Sequence, residues 1–134
     1  MKPLSSIKLV SILCCAAALA ACAGLPQPYS QLYGTRYYKV PIDTYPVQIV
    51  RVDGHDTTSS PVFIESGVRQ ITVQGPSDGL HRGYGEQRTT TLDLAPCTRY
   101  YLVAQKANRL STNFEIKIDY HEPIGGCSST VASK

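Results

Sequence analysis

The chain has no tryptophan, and its lysines and arginines form no cluster. A nucleic-acid surface needs a basic patch, usually with aromatic side chains beside it, so that class of partner is excluded. No apolar run reaches the roughly 20 residues that a membrane-spanning helix requires. Beyond residue 21, no segment repeats apolar residues at a 3.6-residue period between caps, so no amphipathic helix is expected. Motifs for chemistry are equally scarce. There is no G-x-S-x-G elbow and no phosphate-loop spacing. The three histidines and the carboxylates fall into no nucleophile or acid–base arrangement. The expectation is a protein that is not an enzyme and that holds no metal or cofactor.

Residues 1–21 read as an export leader. Lys2 and Lys8 form a positive start, and Leu9 to Ala21 supply a short apolar stretch suited to the translocation machinery. The stretch ends at Leu19-Ala20-Ala21-Cys22, which resembles the lipobox of bacterial lipoproteins: an aliphatic residue, two small ones, then the cysteine that is acylated. That resemblance implies cleavage before Cys22, a diacylglycerol on its sulfur and a third chain on the new amine. Several chains hold far better than one, because each buried methylene adds about 0.8 kcal/mol. Cys14 and Cys15 follow the bulkier Leu13 and Cys14 and fit the pattern less well. With Ala23 rather than aspartate next, the resemblance implies the outer membrane, with the domain facing the periplasm.

Loss of residues 1–21 removes Lys2 and Lys8, leaving 11 of the 13 basic side chains against 10 acidic ones, a net +1. About 113 residues remain, enough for one small domain. Of the five cysteines, two leave with the leader and Cys22 takes lipid. Cys97 and Cys127 remain, and an even pair in an oxidising compartment reads as a disulfide. Closing a loop of about 30 residues stabilises a fold by roughly 3–4 kcal/mol on the chain-entropy model. A metal site would need two further ligands at tight spacing, and the sequence offers none.

Residues 22–39 carry Gly24, Pro26, Pro28, Ser30 and Gly34 and read as the lipidated cysteine and a flexible tether. Tyr29, Tyr33, Tyr37 and Tyr38 lie here. They are expected to press onto the domain, with stacking on cell-wall sugars as the alternative. Residues 40–134 read as an all-β domain. Val47 to Val52 is rich in β-branched residues and ends at Asp53-Gly54, a strong hairpin signal. Extended segments follow at Pro61 to Ile64, Val68 to Gln74, Thr89 to Leu94 and Arg99 to Gln105. Phe114, Ile116, Ile118 and Tyr120 alternate with Asn113, Glu115, Lys117 and Asp119, predicting one core face and one wet face. Short strands between Gly and Pro punctuation predict a small antiparallel β-sandwich or barrel-like meander.

Two further resemblances follow from these segments. Arg51-Val52-Asp53-Gly54, Pro61-Val62-Phe63-Ile64, Glu65-Ser66-Gly67-Val68 and Gln70-Ile71-Thr72-Val73 resemble the PEGA-type module of bacterial surface proteins. The proline that precedes the acidic turn in that pattern is missing. The run from Ala95 to Ala104, followed by His121 to Cys127, is similar to a group of small proteobacterial outer-membrane lipoproteins. This similarity implies the β fold and the Cys97–Cys127 pair, and no activity.

Three stretches are candidate sites. Gly79 to Gly85 is glycine-rich and contains Leu80, His81, Arg82 and Tyr84. A hairpin loop is the plainer reading, and a binding loop that cradles an anion is the alternative. Asp53, His55 and Asp56 form a polar turn, short of the roughly six oxygens that Ca²⁺ takes. His121-Glu122 reads as a solvent-facing strand end rather than an acid–base couple. Together these features lead us to expect a lipid-anchored envelope protein with an adaptor role, docking an envelope protein through a sheet edge or the 75–87 loop. A module binding cell-wall peptidoglycan, and an inhibitor of a hydrolase such as lysozyme, are the alternatives.

Overall fold

The computed structural model describes residues 28–35, 41–77 and 85–129. Among them no helix forms and nine strands do: β1 (Tyr29–Tyr33), β2 (Thr44–Pro46), β3 (Gln48–Val52), β4 (His55–Asp56), β5 (Val62–Glu65), β6 (Gly67–Gln74), β7 (Gln87–Leu94), β8 (Thr98–Lys106) and β9 (Phe114–Pro123). The all-β class expected from the sequence is the one observed.

Two sheets face each other. In the first, β8 pairs antiparallel with β9 along one side, and on the other with β1 (parallel) and then β2 (antiparallel). β5 extends this sheet beyond β1. In the second sheet the order is β4-β3-β6-β7, all antiparallel. The inner faces close on one core. Leu32, Val62, Ile64, Leu102 and Ala104 come from the first sheet, and Ile49, Ile71, Val73 and Leu94 from the second. Leu32, Ile71, Val73, Leu102 and Ala104 are completely shielded, which is the main stabilising term of such a sandwich.

Turn chemistry sets the register. Asp53 and Gly54 both have positive φ, 48° and 81°, the backbone that a two-residue hairpin turn requires and that Asp-Gly supplies at low cost. Cys97, also at positive φ, turns the chain from β7 to β8. It is bonded to Cys127, with Cα atoms 5.4 Å apart. The disulfide, the Cys97 turn and the start of β1 lie at one end of the sandwich, since the Cys97 amide donates to the Tyr29 carbonyl at 2.9 Å.

Two expectations are corrected. The tether expected over 22–39 does not run through Tyr29–Tyr33, which is a strand inside the first sheet. Its alternate residues Ser30 and Leu32 are fully buried. The strict alternation expected in β9 holds only to Ile118. The register slips by one residue at Asp119, so that Ile118 faces Leu102 but Tyr120 faces Tyr101. A bulge of this kind moves every later side chain to the opposite face. Burial along Phe114, Ile116 and Ile118 also declines, from 3% exposed at Phe114 to 39% at Ile118.

Candidate functional site

The outer face of the first sheet gathers aromatic rings. Tyr29, Gln31 and Tyr33 project from β1 opposite to Ser30 and Leu32, as strand alternation requires. They meet Glu65 and Phe63 of β5 and Arg99 and Tyr101 of β8 in register. The Tyr33 and Tyr101 rings stack 5.2 Å apart, Tyr29 and Phe63 tilt together at 5.7 Å, and Tyr101 meets Tyr120 at 6.0 Å. The Arg99 guanidinium lies 5.6 Å from the Tyr33 ring centre, within range of a cation–π attraction.

Polar bonds fix this array. Arg99 donates to Gln31 and to Glu122, each at 2.9 Å, and the Tyr101 hydroxyl donates to the same Glu122 oxygen at 3.0 Å. Burial, then the bond to Glu122, push the Tyr101 phenol above its ordinary value. Burial works against the charge of Arg99, but its bonds to Tyr101 and Glu122 outweigh it and hold the guanidinium above its usual value. His121-Glu122 does lie at the end of β9, with His121 exposed as expected, but Glu122 does not simply face solvent. Glu122 is half-buried and committed to Arg99 and Tyr101, while His121 stacks on Tyr100 at 5.9 Å.

The second sheet presents a different surface, the edge strand β7. Among the described residues its eight members pair with β6 alone. The Gly75 amide donates to the Glu86 carbonyl at 2.9 Å, which marks that pair as the hydrogen-bonded kind. By the alternation of an antiparallel ladder, Gln87, Thr89, Thr91 and Asp93 then turn their N–H and C=O groups to the open side. β9, which flanks the other sheet, carries the devices that blunt an edge: a bulge at Asp119, the charges of Glu115 and Lys117, and Pro123. β7 has neither bulge nor proline, so it is the better template for an added strand.

The polar turn at Asp53 spends its carboxylates locally. Asp53 accepts from the Gln70 amide at 2.8 Å and from Arg69 at 3.0 Å, and these two bonds, the amide first, hold its carboxyl below the ordinary value. Asp56 pairs with Arg51 at 2.8 Å. The two carboxylates are thus drawn to different arginines, and no metal-binding group of His, Cys, Asp or Glu gathers among the described residues.

Cys22, Tyr37 and Tyr38, and the loop residues Leu80, His81, Arg82 and Tyr84, lie outside the described residues. The stems of that loop are described. A Cβ on Gly85 would fall 2.0 Å from the Gly75 carbonyl oxygen, so Gly85 serves close backbone approach at the hairpin neck. Tyr101, Tyr120, Phe63 and Arg99 complete the aromatic face and were missed from sequence. Only the alternation of Tyr29 and Tyr33 around Leu32 hinted at it. Comparison of the chain with protein-family models, with curated proteins and with solved structures finds no match.

Proposed function

We propose that this is a lipid-anchored cell-envelope protein, acylated at Cys22 and held at the outer membrane, whose β domain works in the periplasm as an adaptor. It docks an envelope protein by β-augmentation on β7. The observation that carries this reading is the open edge: eight residues paired on one side, with no bulge and no proline to blunt it. An extended partner segment would gain a row of main-chain hydrogen bonds there. Specificity would come from the outer-face side chains of Thr89, Thr91 and Asp93, which alternate along the strand. The lipobox supports the anchor, and the disulfide is the kind of staple that an oxidising compartment permits. The PEGA-like segments fit a surface-protein role and add no site.

The test is mild crosslinking in cells of the native protein and of Cys22→Ala, followed by membrane fractionation and mass spectrometry. The native form should sediment with the outer membrane and capture one envelope protein, while Cys22→Ala becomes soluble. A Cys22→Ala protein that fractionates like the native form contradicts the anchor.

A second reading rests on the aromatic face. Stacked Tyr33 and Tyr101 beside Arg99 have the make-up of a sugar-binding platform, which would make the domain a peptidoglycan-binding module. Under this reading Tyr33→Ala and Tyr101→Ala abolish pelleting with peptidoglycan. Under the adaptor reading they leave capture of the protein partner intact. Inhibition of a hydrolase would rest on the loop whose tip lies outside the described residues.

A further inference from the structure

At the end of the sandwich opposite the disulfide, the core face of β8 finishes on a charged residue. Leu102, Ala104 and Lys106 share that face, and Lys106 is only 5% exposed. Its stem packs opposite Phe114 in register, and its ammonium lies 5.0 Å from the centre of the Tyr45 ring. No carboxylate pairs with it among the described residues. A lysine placed like this buries its stem and turns its charged head to the open space beside it. Here the ammonium has an aromatic ring and a cleft.

The cleft has a volume of about 350 Å³ and is lined by Arg88, Lys106, Phe114 and Glu115 among others. Arg88 forms one wall, with its guanidinium 5.3 Å from the Phe114 ring centre. One nitrogen of that guanidinium bonds Glu86 at 3.2 Å and also Asn113, while Nε, buried, has no acceptor. The Arg88 charge is therefore matched by Glu86, and that of Lys106 has no carboxylate partner among the described residues. At the rim of the cleft Glu115 stands 3.9 Å from Lys117, a loose pair that leaves its oxygens able to accept.

We infer that this cleft binds the carboxylate end of a peptide. The carboxylate meets the Lys106 ammonium and the small terminal side chain lies along Phe114, while Glu115 stands exposed at the rim. A charge-assisted bond in a recessed site is among the stronger polar contacts. Glu115 disfavours a ligand with a second negative charge, since like charges at such range repel. The volume is at the small end for ligand sites, which suits one or two residues rather than a folded partner. The site is independent of the β7 edge and of the lipid anchor.

The experiment is NMR titration of the full-length chain in detergent micelles with ¹³C-labelled lysine, using N-acetyl-alanyl-alanine as the probe. The Lys106 ε-carbon signal should shift saturably, and the C-terminal amide of the same probe should leave it unmoved. Lys106→Met, which keeps the buried stem, should weaken binding by about tenfold or more, and Arg88→Gln should weaken it several-fold. Lys117→Met should bind like the native chain. No saturable shift, an equal response to the amide probe, or acetate binding as tightly as the peptide (an adventitious ion only) would each overturn the inference. If Lys106→Met loses the dispersed spectrum of the native fold, the Arg88→Gln result together with the amide control decides.

Discussion

The amide of Cys97 donates to the carbonyl of Tyr29 at 2.9 Å. This one bond ties the first strand of the domain to the disulfide turn. Whatever pulls on the chain before Tyr29 is resisted at the Cys97–Cys127 bridge, which joins residues 30 apart in sequence. Several expected outcomes can be measured against this arrangement.

Breaking the bridge should cost about 3–4 kcal/mol, mostly by freeing the unfolded chain. Cys127→Ser, and the native protein under reductant, should therefore unfold at markedly lower urea concentration, with similar midpoints to each other. An unchanged midpoint would mean that the bond contributes nothing to the fold.

The core should respond very differently from the rim. Leu102 is completely buried between the sheets, so Leu102→Ala should lower stability by about 2–5 kcal/mol through lost burial and the cavity left behind. Leu110, in the turn between β8 and β9, is 94% exposed. Leu110→Ser should stay within about 0.5 kcal/mol of the native protein. Comparable losses for the two would contradict the packing described.

Asp53 should leave a signature in acid. Its folded-state carboxyl is held below the ordinary value of 3.8, first by the Gln70 amide and then by Arg69. A depressed carboxylate contributes stability that is fully present above the unfolded value and is lost as pH falls through the folded one. Asp53→Asn keeps a residue that tolerates positive φ but removes the titration. The stability gap between native and variant should therefore be constant above pH 3.8 and shrink below it, as read from melting temperatures across pH. Parallel profiles down to strong acid would show that the carboxylate has no such role.

Much of the fold was legible because burial enforces strand alternation. β6, β7 and β8 were readable to within one or two residues from Ile71 and Val73, Thr90 to Leu94, and the Tyr100 to Val103 run. β1 was hidden by its surroundings, since Pro28 and Gly34 bracket five residues whose polar Ser30 and Gln31 turn out to be buried. The slip at Asp119 was invisible because a bulge is a property of two paired strands, not of one. For the same reason the cleft could not be seen: Arg88 lies in the second sheet and Lys106 in the first, and they line one cleft only when the sheets close. The aromatic face was half legible, through Tyr29 and Tyr33. Its other half needed the parallel pairing of β1 with β8.

Docking on β7 is the central claim, and Thr91→Pro tests it most directly. Thr91 turns its N–H to the open side, so proline there leaves the β6–β7 ladder intact while removing a donor and placing a ring against any added strand. The measurement is the yield of crosslinked partner from cells carrying the native protein or Thr91→Pro, at equal amounts of folded, membrane-bound domain. Loss of the partner with the fold and anchoring retained is the predicted result. Capture at native yield would contradict docking along this edge.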